Sequence, residues 1–232
     1  METLGSRTQP GRNVQRTEMC IFLLLIAPSL VFSFVFVKQA TPGFVLTAFS
    51  TILRDVGLVC LILYFLWRNA EAVARIGWGP ADWPREAMIG MLLFLPMFYA
   101  AAIVDGWLRH FGFSAGKVPL PALVPGRNPL HLVVALVLVT TVALAEETIF
   151  RGYLILRLEA STGSRRAALL LSALIFSFGH GYEGSAGVIT VGLMGLAFAL
   201  VYVWRGSLIA PVVMHFLQDF VTVLLLPLVR HH

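Results

Sequence analysis

Charge is what this chain has least of. Asp, Glu, Lys and Arg make up 12% of its 232 residues, while 58% are hydrophobic. An ordinary soluble domain carries roughly twice that share of charge, so a soluble globular class is excluded. Cysteine is nearly absent. Cys20 and Cys60 both stand in apolar segments, which excludes a disulfide framework or a thiolate metal site and leaves them as small hydrophobes. There is no internal repeat and no low-complexity segment, and one domain is the natural reading. The net charge of +5 comes from Lys and Arg in polar connections and at the N-terminus. No basic face laced with aromatics exists, so nucleic acid is not an expected partner. Basic loops of this kind set topology and meet acidic headgroups, which makes the lipid bilayer the first expected partner.

Long apolar runs are what the chain has in abundance. A membrane-crossing helix needs about 20 apolar residues. Seven stretches approach that length: 19–37, 44–67, 86–108, 129–158, 165–181, 185–204 and 207–229. The fold class is therefore all-α, a polytopic transmembrane bundle of about seven spanning helices. A polar N-terminal segment, 1–18, precedes a single transmembrane domain, 19–230. The run 19–37 is too long for a signal-peptide core and lacks a small-residue cleavage site, so it reads as the first span. The connections Arg68 to Arg85 and Arg109 to Asn128 hold glycines and prolines, among them Pro119, Pro121 and Pro125. Both read as surface loops with room for a short interfacial helix. With the N-terminus inside, ten basic residues face the cytoplasm: Arg7, Arg12, Arg16, Arg68, Arg75, Arg85, Arg157, Arg165, Arg166 and Arg205. Five face the other side: Lys38, Arg109, Lys117, Arg127 and Arg230. The positive-inside rule then predicts a cytoplasmic N-terminus.

Ionisable side chains inside a bilayer are costly and mark function. Three patterns concentrate them here: Glu146-Glu147-Thr148-Ile149-Phe150-Arg151, Phe176-Ser177-Phe178-Gly179-His180, and His215-Phe216-Leu217-Gln218-Asp219. At 1.5 Å per residue, Glu146, His180, His215 and Asp219 fall roughly 18, 22, 12 and 18 Å from one membrane face. Three separate helices thus bring polar groups to a similar level, which predicts one shared site. Residues four apart share a helix face. Glu147 and Arg151 are expected to form a buried ion pair, leaving Glu146, about 100° around the helix, free. His215 and Asp219 are expected to face each other, the carboxylate positioning the imidazole. Phe176, one turn before His180, is expected to wall the site. The glycines after His180 suit a broken helix lining a wet cavity. Arg54 and Asp55 in the second span, and Asp105 in the third, read as structural charges. Adjacent residues do not face each other, so Arg54 is not paired with Asp55. Glu183 is near the site and has no assigned role.

In this order, on successive apolar helices, the patterns Glu-Glu-x-x-x-Arg, Phe-x-x-x-His and His-x-x-x-Asp resemble the CPBP intramembrane proteases, also called the ABI or CAAX protease-like family. The lead-in Gly206–Pro211 is similar to the family's too, and the resemblance spans a core at 129–220. It implies an intramembrane endopeptidase acting on a membrane-associated peptide or protein. Glu146 and His180 would activate water, and His215 with Asp219 would stabilise the oxyanion or the leaving group. Glu147, Arg151 and Phe176 would support them. Type II prenyl endopeptidases carry Asn at the position of Asp219, so this chain adds a charge there and loses two donors. Many members are bacterial, so the expected location is a bacterial inner membrane. No cofactor is expected on this reading. The alternative places zinc on Glu146, His180 and His215, since two histidines and a carboxylate make a catalytic zinc set. No His-Glu-x-x-His, no Gly-x-Ser-x-Gly and no second transmembrane Asp partner for Asp219 occurs. Two other classes compete: a non-catalytic membrane scaffold or immunity-type protein, and a proton-coupled transporter. The full residue set argues against the first and the absent repeats against the second.

Overall fold

The structure is a computed structural model of the whole chain, and it describes residues 11–35, 43–116, 124–125 and 128–227. The far ends of the first and last expected spans lie outside these residues. So do Arg7, Lys38, Lys117, Pro119, Pro121, Arg127 and Arg230.

The described residues are helical, with no strand among them. In order they form α1 (Arg12–Val35), α2 (Phe44–Arg68), α3 (Trp83–His110), α4 (Pro129–Glu146), α5 (Ile155–Thr162), α6 (Arg165–Phe178), α7 (Gly184–Arg205) and α8 (Ile209–Asp219). A wide π-helical segment, Glu147–Leu154, joins α4 to α5 in one continuous rod. A second, Phe220–Leu225, extends α8. The result is seven rods that coincide with the seven apolar stretches. Five are long and apolar enough to cross a membrane, and Ile209–Leu225 is a shorter apolar helix. The stretch 165–181 does not reach spanning length: α6 has 14 residues.

Local chemistry sets the ends. Asn128 caps α4 by accepting from Leu130 N at 2.9 Å, with Pro129 in the first turn. Asp82 caps α3 and Ser164 caps α6, each satisfying amide groups that a helix start leaves unpaired. The tryptophans Trp67, Trp83 and Trp204 are exposed near one end of the bundle, and Trp107 near the other, the distribution of interfacial anchors.

The first helix starts at Arg12, inside the segment expected to be a separate polar tail. Glu18 is 1% exposed and accepts from Arg68 Nη2 at 2.6 Å and Asn69 Nδ2 at 2.9 Å. Arg157, fully buried, binds Glu71 through two nitrogens and lies 3.5 Å from Glu18. Arg205 grips Glu86 at the start of α3. These pairs lash α1, α2, α3, α5 and α7 together at one end. That end also holds Arg16 on the Ser161 carbonyl.

Small residues let helices approach closely. A β-carbon on Gly90 of α3 would sit 2.7 Å from the Ala210 carbonyl oxygen and 2.9 Å from Val213 Cβ on α8. Since α8 carries His215, Gly90→Val is expected to push that helix outward. A loss of about 1–3 kcal/mol in stability is expected, read as a lower thermal midpoint in detergent than wild type.

Candidate active site

The motif glutamates stand where the rod widens. Glu146 is the last residue of α4 and Glu147 the first of the π-helical segment. Such π segments are rare and cluster at functional sites. Two neighbours brace this one: Ser172 Oγ donates to the Phe150 carbonyl at 2.6 Å, and Trp78 Nε1 donates to Thr148 Oγ1 at 2.9 Å.

Glu147 is wholly buried and works as a hub. Its Oε1 accepts from Arg151 Nη1 at 2.8 Å and from His215 Nδ1 at 2.8 Å. Arg151 is held in turn. Its Nη2 donates to the Gly195 carbonyl at 3.3 Å, and its guanidinium lies 4.2 Å from the centre of the Phe176 ring and 5.1 Å from that of Phe198. A β-carbon on Gly195 would come within 2.9 Å of Phe176 and 3.2 Å of Arg151 Nη2. His215 stacks on Phe198 and meets the edge of Phe176.

Two expectations are refined here. Glu147 and Arg151 pair as expected, but the pair is not isolated, because Glu147 also bonds His215. Asp219 faces His215 as its register requires, without a hydrogen bond to it. Its Oδ2 lies 3.6 Å from His215 Nε2, beyond hydrogen-bond length and on the ring nitrogen opposite the one Glu147 holds. Asp219 thus shares the cavity face of the imidazole with Glu146, whose Oε2 is 3.7 Å from the same Nε2. The register of four residues gave the right face, but a carboxylate from another helix reached Nδ1 first.

His180 ends its helix at the start of a 3-10 turn, Gly181–Glu183. Its Nδ1 is 3.1 Å from the Phe176 carbonyl. A carbonyl only accepts, so Nδ1 carries the hydrogen and Nε2 keeps its lone pair. Gly184 closes the turn with φ of +76°, and a β-carbon there would lie 2.5 Å from the Ser114 carbonyl oxygen. Ser114 and Ser185 exchange backbone and hydroxyl bonds, which tie the end of α3 to the turn beside His180.

Glu146, His180, His215 and Asp219, with Phe176, line one cavity of about 390 Å³. Glu146 Oε2 is buried there without a hydrogen-bond partner among the described residues. The cavity also reaches residues with no assigned role in the motifs: Arg54, Asp55, Tyr182 and Glu183. Arg54 and Asp55 are paired after all, with Nε–Oδ1 at 2.9 Å and Nη2–Oδ1 at 2.8 Å. The helix-face rule failed because the arginine stem is long enough to fold back on its neighbour. Among the described residues no three His, Cys, Asp or Glu side chains are gathered as a metal-holding group.

The long apolar helices define an integral membrane protein, and its cavity is lined by carboxylates and imidazoles. Residues 128–221 match the family model described as Type II CAAX prenyl endopeptidase Rce1-like. The match falls on the part of the chain that carries all three motifs, and its family is the CPBP, or CAAX protease-like, family that those motifs resemble. No curated relative and no solved structure matches the chain.

Proposed function

We propose that this protein is a metal-free intramembrane endopeptidase in which Glu146 is the general base. The observation that carries the reading is the placement of the two adjacent glutamates. The Oε2 of each makes no hydrogen bond among the described residues, but Glu147 is tied through Oε1 to Arg151 and His215 and stands outside the cavity lining, whereas Glu146 lines the cavity.

A water donating to Glu146 and to the lone pair of His180 Nε2 is polarised by two acceptors. As it attacks the peptide carbonyl, its oxygen forms the new C–O bond and Glu146 takes the proton. The tetrahedral oxyanion then needs a donor. In its doubly protonated form His215 keeps the Nδ1 bond to Glu147 and presents an Nε2–H to the oxyanion or to the departing nitrogen. The C–N bond breaks as that nitrogen gains a proton, and a carboxylate and an amine leave. Asp219, on the same face, supports the charged imidazole. Phe176 and Phe198 fix the imidazole and Arg151 from either side.

The zinc alternative would place the ion on Glu146, His180 and His215, two histidines and a carboxylate, whereas the metal-free reading gives Glu146 the role of base. Activity of the purified protein is therefore expected to survive exhaustive chelation. The check is a cleavage assay with quenched apolar peptides in proteoliposomes, with metal content measured in parallel. Loss of cleavage on chelation and its return with stoichiometric zinc would overturn the metal-free assignment.

The N-terminus is placed in the cytoplasm of a bacterial inner membrane. Support comes from Arg16, Arg68, Arg75, Arg157, Arg165 and Arg205, which belong to helix ends or loops at one end of the bundle. The substrate is a peptide or protein with a cleavage site at membrane depth.

A further inference from the structure

The proteolytic reading leaves one element of the cavity without a task. Arg54 comes from α2, outside the matched region 128–221. It stands ten residues after Phe44 in a 25-residue helix, about 15 Å from that helix's start, and lines the same cavity as Glu146 and His215. Its pairing with Asp55 is lopsided. The Asp55 side chain is 2% exposed and that of Arg54 44%. Both contacts of the guanidinium go to one oxygen, Asp55 Oδ1, through Nε and Nη2. Here the acid is enclosed and the cation stays open to the cavity.

The charge around it points to what it meets. Four carboxylates line the cavity, those of Asp55, Glu146, Glu183 and Asp219, and Arg54 is the only arginine or lysine among the described lining residues. Besides His215, which the mechanism assigns to the oxyanion, Arg54 is the one lining cation among the described residues that an anionic ligand group can meet. A guanidinium matches a carboxylate in shape and in donors. A lipid phosphate belongs to the interfacial layer and not to the middle of a span.

We propose that Arg54 is the specificity-determining residue of the cavity and binds a carboxylate of the substrate, anchored by Asp55. The inference rests on the proteolytic reading and adds to it a class of substrate: apolar peptides bearing a carboxylate near the cleaved bond. Two sources share that chemistry, an acidic side chain and a free chain terminus.

The test uses the full chain in proteoliposomes and one set of quenched apolar peptides in three forms: a neutral C-terminal amide, the same peptide as a free acid, and the amide with one Asp. Cleavage is measured with wild type. Binding is measured separately on Glu146→Gln, so that affinity is read without turnover. Wild type should favour at least one carboxylate form over the neutral amide by about tenfold or more, the scale of one charged hydrogen bond. Preference for the free acid alone assigns the carboxylate to the chain terminus, and preference for the Asp form assigns it to a side chain. Arg54→Gln should erase the preference by raising KM for the carboxylate forms to that for the amide. The double variant Arg54→Gln with Asp55→Asn, which strands no acid, should erase it equally. Arg54→Lys should keep part of it. The proposal is overturned if the neutral amide is bound as well as the carboxylate forms, if no form binds, or if the preference survives both Arg54 variants. Carboxylate-selective binding with no cleavage by wild type would retire the proteolytic reading and keep the anion site. Cleavage without selectivity would do the reverse.

Discussion

Glu146→Gln is expected to insert and fold like wild type and to lose about 10²–10⁴-fold in the rate of peptide hydrolysis, the range a positioned general base supplies. The side chain is nearly isosteric, so the lining of the cavity keeps its shape. Only the basicity of the cavity-facing oxygen disappears. Because Glu146 makes no hydrogen bond to Arg151 or His215, its neutralisation leaves the Glu147 hub intact. A thermal midpoint close to wild type should accompany the lost activity. Near-normal turnover would remove Glu146 from the chemistry.

The second large effect is on stability. Glu147→Ala strands Arg151, which is 1% exposed, and removes the carboxylate that holds His215 Nδ1. Removing one partner of a buried pair costs about 3–5 kcal/mol, so the single variant should unfold at clearly lower temperature in detergent. Glu147→Ala combined with Arg151→Met removes both charges and keeps an apolar side chain over Phe176 and Phe198. This double variant should recover much of the stability. It should stay inactive, because His215 still lacks its orienting partner. If activity returned along with stability, the ion pair would be a structural brace alone and the Glu147–His215 bond would carry no function.

How far the sequence revealed this arrangement depends on the length of the side chains involved. The seven rods followed from apolar run length, a property of the backbone in lipid. The convergence of Glu146, His180, His215 and Asp219 on one cavity followed from counting residues inward from shared ends. What the sequence did not reveal are contacts made by long side chains between helices of unknown rotation. Glu147 on Nδ1 of His215 is one of these contacts. Arg157 reaching Glu71, and Arg68 reaching Glu18, are two more. The helix period separates faces but does not say which face meets which neighbour. The same period misled at Arg54 and Asp55, where the arginine stem folds back on its neighbour. It also gave no sign of the π-helical widening at Glu147–Leu154, because no residue there breaks a helix in the way that proline does.

The most direct test of the central assignment is hydrolysis by purified protein in H₂¹⁸O. Wild type and Glu146→Gln are reconstituted in liposomes with a set of apolar peptides, and the products are read by mass spectrometry. The account predicts that wild type releases fragments whose new C-terminal carboxylate carries one ¹⁸O, and that Glu146→Gln releases none above background. Intact peptides throughout with folded wild type, or labelled fragments from Glu146→Gln at the wild-type rate, would contradict it.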